Sequence, residues 1–212
     1  GICASYYFRV VPASNQPGFI RSIAALGHEI GYHYEDMSLA NGDIQAAIKH
    51  FGQQLSYFRH FYPVRTICMH GAPTSQWDGR DLWKTYDYHS YGIIGEPYLE
   101  VDFSHVFYLT DTGRRWDGFR VSLRDKVPVY QDQWIARGLV YHSTHDILRA
   151  ITVSHTAQSH TLSQTHRQPL PAQLMITTHP QRWTDNTPQW VEELLTQSVK
   201  NIAKYLLIKA KG

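Results

Sequence analysis

The sequence predicts a mixed α/β chain with parallel strands, arranged as a (β/α) barrel that carries its site at the strand carboxyl ends. Short apolar and β-branched runs alternate along the 212 residues with longer stretches of helical periodicity. Three histidines, His33, His70 and His179, each leave a different one of those runs. In α/β folds, ligands and catalytic groups collect in the loops beyond the strand carboxyl ends. The length suits one sizeable core, so residues 1–212 read as a single domain.

Residues 2–11 are apolar, aromatic and β-branched, and Pro12 closes them as a strand. Pro17-Gly18 marks a turn, after which Phe19, Ile20, Ile23, Ala24 and Leu26 fall at helical spacing until Gly27 ends the helix. Glu29-Ile30-Gly31 reads as a short buried strand from which His33 emerges. Gly42-Asp43 precedes Ile44, Ala47, Ile48, Phe51, Leu55 and Phe58, the spacing of one helix face with Asp43 as its N-cap. Tyr62-Pro63 ends that helix, residues 64–69 form the next strand, and His70-Gly71-Ala72-Pro73 follows.

Residues 77–118 are rich in aromatic rings, which suit a core and a sugar site alike. Within them the strand-like Val106-Phe107-Tyr108 leads into a charged loop at 109–118, where Asp111 either caps the turn or faces a groove. Residues 121–127 and 138–142 are further strand or edge candidates, separated by the polar Gln131-Asp132-Gln133, and 157–171 is the longest loop. Leu174-Met175-Ile176-Thr177-Thr178 is a buried strand, with His179-Pro180 directly after it. Thr187-Pro188 starts a last helix whose Trp190, Val191, Leu194, Leu195, Val199, Ile202, Ala203 and Leu206 share one side and should close the barrel.

A formal charge of +2 gives no electrostatic argument for nucleic acid, and no apolar run approaches the roughly 20 residues of a membrane span. The histidines of residues 155–166 alternate with Ser, Thr and Gln as in a polar loop. Cys3 and Cys68 make no disulfide framework; both are expected to be reduced and buried in apolar runs, which points weakly to a cytoplasmic setting. Residues 1–212 themselves read as containing no signal peptide. A histidine after a strand is either a hydrogen-bonded loop residue or a metal ligand, and His33 and His70 stand open to both readings.

Gly27-His28-Glu29-Ile30-Gly31-Tyr32-His33 resembles the second motif of the polysaccharide deacetylases (the NodB-homology, carbohydrate esterase family 4 group), usually Gly-His-Glu-Ile-Gly-Asn-His with a second histidine four residues on. His33 matches the first metal-binding histidine of that motif. Met37 occupies the second position, and a thioether ligates such an ion poorly. His70 stands where the third motif has an arginine that steadies the catalytic aspartate. The 109–118 loop is similar to the fourth motif, an aspartate and tryptophan region lining the groove, and the strand before His179 to the fifth, Leu-x-Leu-His. Residues 1–8 resemble the second strand of the fold, so a first strand bearing the Thr-Phe-Asp-Asp motif, and any targeting signal, is expected to be missing from this chain.

The resemblance implies a deformed parallel (β/α) barrel that deacetylates an N-acetylated sugar or related amide in carbohydrate metabolism. It implies a divalent metal cofactor, zinc in the first instance, held by His33, His70 and Asp36, with Glu35 as the alternative carboxylate. His179 would be the general acid with Asp111 as its catalytic companion, and Arg114, Trp116, Arg182 and Trp183 would bind the carbohydrate substrate. Two other functions stay open: a non-catalytic barrel binding a glycan or a protein partner, and an enzyme of the same fold acting on a small amide such as a nucleotide-linked sugar.

Overall fold

The computed structural model describes residues 1–72, 75–120, 122, 126–156 and 170–211. Its contacts divide the chain into two compact units, Gly1–Val101 and Asp102–Gly212. Each unit is described by itself.

In the first unit, β1 (Ser5–Phe8), β2 (Glu29–Tyr34) and β3 (Ile67–Met69) form a parallel sheet in the order β1-β2-β3. Parallel neighbours need crossover connections. Helix α1 (Pro17–Ala25) supplies the first, with proline in its opening turn and Gly27 at φ 84° beyond its end. The second runs through the short α2 (Asp36–Leu39) and α3 (Ile44–Phe58), where the Asp43 carboxylate accepts from the backbone N–H groups of Gln45 and Ala46 as an N-cap. Side chains alternate across β2, so Ile30, Tyr32 and Tyr34 turn into a core completed by Phe51, Leu55 and Phe58 of α3. The Phe51 ring meets Tyr34 and Trp83 edge-on. Later, Glu96 caps α4 (Pro97–Glu100) through the Tyr98 N–H.

The second unit pairs β4 (Phe107–Thr110) in parallel with β5 (Leu174–Thr177), Phe107 opposite Leu174 and Thr110 opposite Thr177. Helices α5 (Pro128–Ala136), α6 (Thr144–Thr156) and α7 (Thr187–Lys211) belong to it. The protein is therefore mixed α/β with parallel strands, which among the described residues lie in two separate sheets. Also among the described residues, no helix is long and apolar enough to cross a membrane.

Several expectations are corrected. Strand β1 starts only at Ser5, so Cys3 lies ahead of the ladder and is exposed, and Cys68 on β3 is half-buried; neither forms a disulfide among the described residues. Residues 138–142 are not a strand. Gly138, at φ 71°, ends α5, and the Leu139 N–H returns to the Trp134 carbonyl, so the apolar signal of Leu139 and Tyr141 comes from packing after a helix end. The polar 131–133 segment lies inside α5. Of the 121–127 candidate, residues 121 and 123–125 lie outside the described residues, as do 157–169 of the long loop and most of the histidine-rich tract.

Helix α7 forms as expected, yet its apolar face is not covered: Leu195, Val199, Ile202 and Leu206 are all well exposed. Gln197 and Asn201 pack inward, joined at 4-3-4 spacing by Trp190 and Leu194 from the edge of the expected face, which stay partly exposed. Asn201 donates to the Gly113 carbonyl at 2.8 Å, and Gln197 is buried.

Candidate functional site

The first unit gathers charge where its three parallel strands end. Arg9 follows β1, Glu35 follows β2 and His70 follows β3, and neighbouring strand ends bring the three side chains together. Arg9 grips Glu35 with two donors, Nε to Oε1 at 3.0 Å and Nη2 to Oε2 at 2.8 Å. His70 Nδ1 sits 2.9 Å from Oε2 as an ion contact, off the line of a well-formed hydrogen bond, while the His70 backbone N–H donates to the Tyr34 carbonyl. Burial by itself raises the Glu35 pKa, but the His70 and Arg9 donors outweigh it and hold the carboxyl below its ordinary range.

His33, near the end of β2, turns the same way as Glu35 because the two are separated by one residue. Its Nδ1 faces the Cys68 carbonyl at 2.8 Å; a carbonyl only accepts, so Nδ1 carries the proton. The His33 and His70 rings meet edge-on with centroids 5.2 Å apart. The structure thus brings these two predicted residues together.

Asp36 lies elsewhere. It is fully buried, its carboxylate accepts from the Tyr32 hydroxyl at 3.0 and 2.9 Å, and it forms a very short contact with His50 Nδ1 of α3. Burial raises its pKa despite these partners. It faces the core side of β2 with Tyr32 and Tyr34, so Glu35, not Asp36, is the carboxylate beside the two histidines. Among the described residues, no three His, Cys, Asp or Glu side chains gather closely enough to hold a metal ion.

The second unit builds its site by the same logic. Asp111 follows β4 and is buried, and His179 stands just beyond β5. Asp111 Oδ2 accepts the His179 backbone N–H at 3.0 Å and Trp183 Nε1 at 2.9 Å; Oδ1 accepts His179 Nδ1 at 2.5 Å and Arg182 Nη1 at 2.8 Å. Arg182 also donates to the Asp111 carbonyl at 2.7 Å. Burial opposes ionisation of Asp111, but the donors from His179 and the Arg182 charge prevail, and the carboxyl stays ionised below its usual range. An anion that accepts at Nδ1 fixes the imidazole with Nε2 turned away from it, the orientation of a general acid or base.

Of the remaining candidates, Trp116 anchors its indole N–H on Thr144 Oγ1, and its ring centroid lies 6.3 Å from that of Trp183, which is 55% exposed. Arg114 stacks over the Trp190 ring, 4.8 Å from its centroid. Arg182 is committed to Asp111 and so acts as a positioning group, with Nε 3.9 Å from Glu193 Oε1. Sequence reasoning missed Arg9 outright. The apolar run 2–11 placed it inside the expected strand, whereas the structure ends β1 at Phe8 and leaves Arg9 directly beyond it. Compared with protein-family models, curated proteins and solved structures, the chain matches none.

Proposed function

We propose that the chain is a divalent-metal-dependent hydrolase of the polysaccharide deacetylase type, a deformed parallel (β/α) barrel that removes acetyl from an N-acetylated sugar or related amide. The observation that carries this reading is the Asp111–His179 pair beyond two parallel strands, with its 2.5 Å contact to the imidazole Nδ1. An amine leaves poorly unless protonated. His179, held at Nδ1 by the carboxylate, can place a proton from Nε2 on the departing nitrogen, an effect worth roughly 10²–10⁴-fold in rate. Asp111 keeps the ring in that orientation and stabilises the positive charge of its protonated form, and Arg182 and Trp183 keep Asp111 in place. The two indoles of Trp116 and Trp183 offer apolar faces for a sugar ring.

His33 and His70 fit a metal in one respect: each has Nδ1 turned to a backbone carbonyl or a carboxylate, the arrangement that directs Nε2 to an ion. They would be two of its ligands. A zinc-type ion, when bound, polarises an acetyl carbonyl and lowers the pKa of water. A second reading, a barrel that binds a glycan without hydrolysing it, draws on the same exposed Trp183 and on His33 and His70 having no third metal-ligating partner among the described residues.

The test loads the protein, in its natural full-length form, with zinc and measures acetate released from N-acetylated oligosaccharides. His179→Ala at unchanged metal content should be slower by 10²–10⁴-fold, and His33→Ala and His70→Ala should lose zinc. Equal rates for His179→Ala would remove the acid role. A parent that binds the oligosaccharide without releasing acetate moves the reading to the glycan-binding barrel.

A further inference from the structure

Three residues beyond Asp111 the second unit carries a cavity of about 280 Å³, lined by Arg114, Arg115, Asp117 and His142 and, from α7, by Gln197 and Asn201. Its size lies near the lower end of small-ligand sites. Its one carboxylate is already taken. Asp117 is 1% exposed; Arg115 embraces it through Nε and Nη2, the latter at 2.7 Å, His142 Nδ1 lies at 3.1 Å and Arg120 Nε at 3.7 Å. Burial would raise its pKa, but Arg115 and His142 hold it low, so it stays an anion spent on Arg115.

Arg114 is different. Among the described residues no carboxylate forms an ion pair with it, and its Nη1 is buried without a hydrogen-bond partner. A buried guanidinium nitrogen left unpaired costs free energy, and a group of this kind in a folded protein points to strain, a functional role or a bound water or ion. The backbone is strained in the same place. Arg114 sits at φ 59° directly after Gly113 at φ 72°, a left-handed conformation that a non-glycine residue adopts at a cost of roughly 1–3 kcal/mol. Three contacts hold it there: the Arg114 N–H to the Asp111 carbonyl at 2.9 Å, Asn201 on the Gly113 carbonyl, and the stacking of the guanidinium on Trp190. Packing of α7 therefore fixes a strained arginine at the cavity, paired with no carboxylate among the described residues.

We propose that this cavity binds a negatively charged group borne by the carbohydrate ligand, a carboxylate or a phosphate ester, with Arg114 as the principal donor. Arg114 supplies the planar donor set that matches such oxygens, and Asp117 neutralises Arg115 so that the local excess is moderate and depends on Arg114. The proposal rests on the carbohydrate reading for the body of the ligand; the preference for a charged one follows from the cavity.

The test titrates the protein by calorimetry with glucuronate, glucose 6-phosphate, glucose and inorganic phosphate at low and high salt. One or both sugar anions should bind, more weakly at high salt, and glucose at least tenfold more weakly than they do. Arg114→Gln should abolish that preference while thermal unfolding confirms a folded chain, and Arg114→Lys should restore part of it. Glucose binding as tightly as the anions, no probe binding at all, or an unchanged preference in folded Arg114→Gln would each overturn the proposal. Inorganic phosphate binding as tightly as glucose 6-phosphate would overturn its carbohydrate part. Acetate release is not read here, so loss of the deacetylase reading and loss of this one are separate results.

Discussion

Replacing Asp111 by Asn exposes how much of the second unit's site depends on one charge. Four donors converge on two oxygens: the His179 N–H and Trp183 Nε1 on Oδ2, His179 Nδ1 and Arg182 Nη1 on Oδ1. The amide has only one oxygen. If its NH₂ took the Oδ2 place it would meet two N–H groups that cannot accept, so the amide should orient with its oxygen there and its NH₂ in the Oδ1 place. His179 can then accept at Nδ1 by moving its proton to Nε2, but Arg182, 12% exposed in its side chain, loses its charged partner. Removing one member of a buried ion pair costs about 3–5 kcal/mol. Arg182 keeps the Asp111 backbone carbonyl and a distant Glu193, which favours the lower end, about 3 kcal/mol, more than a hundredfold in the unfolding equilibrium. Urea unfolding followed by tryptophan fluorescence measures the cost, and the nitrogen shifts of His179 report the tautomer. Because the folded Asp111 pKa is depressed, its contribution is present above the unfolded carboxyl pKa and lost as pH falls through the folded one; the variant should lose that acid sensitivity. A change under about 1 kcal/mol with the proton still on Nδ1 would refute the argument that the carboxylate organises this site.

Three further outcomes are expected. Glu96, fully buried on the backbone N–H groups of Met69 and Tyr98, has its pKa pushed up by burial to about 7. Folding thus favours its protonated form, so its contribution is complete below the unfolded pKa near 4.5 and falls by about 3 kcal/mol as pH rises through 7; unfolding curves of the parent should show this slope and those of Glu96→Gln should not. Phe51→Ala should cost about 3–5 kcal/mol on the same assay, since the ring is fully buried between β2 and Trp83, whereas a cost under about 1 kcal/mol would mean the core is not packed there. Gly118→Ala places a methyl 2.6 Å from the Thr112 carbonyl oxygen, a backbone atom that cannot swing aside, and should cost about 1–3 kcal/mol, read as a lower thermal midpoint; an unchanged midpoint would show that the loop gives way freely.

The sequence by itself determined the local elements wherever local physics governs them. Asp43 caps α3 because its carboxylate reaches the N–H groups two and three residues on, and Ile48, Phe51, Leu55 and Phe58 are buried because their spacing puts them on one face. The position of His33, His70 and His179 at strand carboxyl ends was equally legible, being a property of the chain just beyond each apolar run. Alternation along β2 even held the parity that pairs His33 with Glu35 and sends Asp36 to the core with Tyr32, although the expectation from resemblance chose Asp36. What only tertiary structure decided is which residues from separate strand ends meet. Arg9 reaches Glu35 because β1 and β2 pair in one register, and Trp183 and Arg182 close on Asp111 because β4 pairs with β5 across the longest sequence separation in the site. The face of α7 that packs was decided the same way. Hydrophobic spacing pointed to a face from Trp190 to Leu206, of which Trp190 meets Arg114, but hydrogen bonding to the Gly113 carbonyl brought the polar Asn201 and its neighbour Gln197 inward, since an orphaned carbonyl must be satisfied by whatever element lies against it.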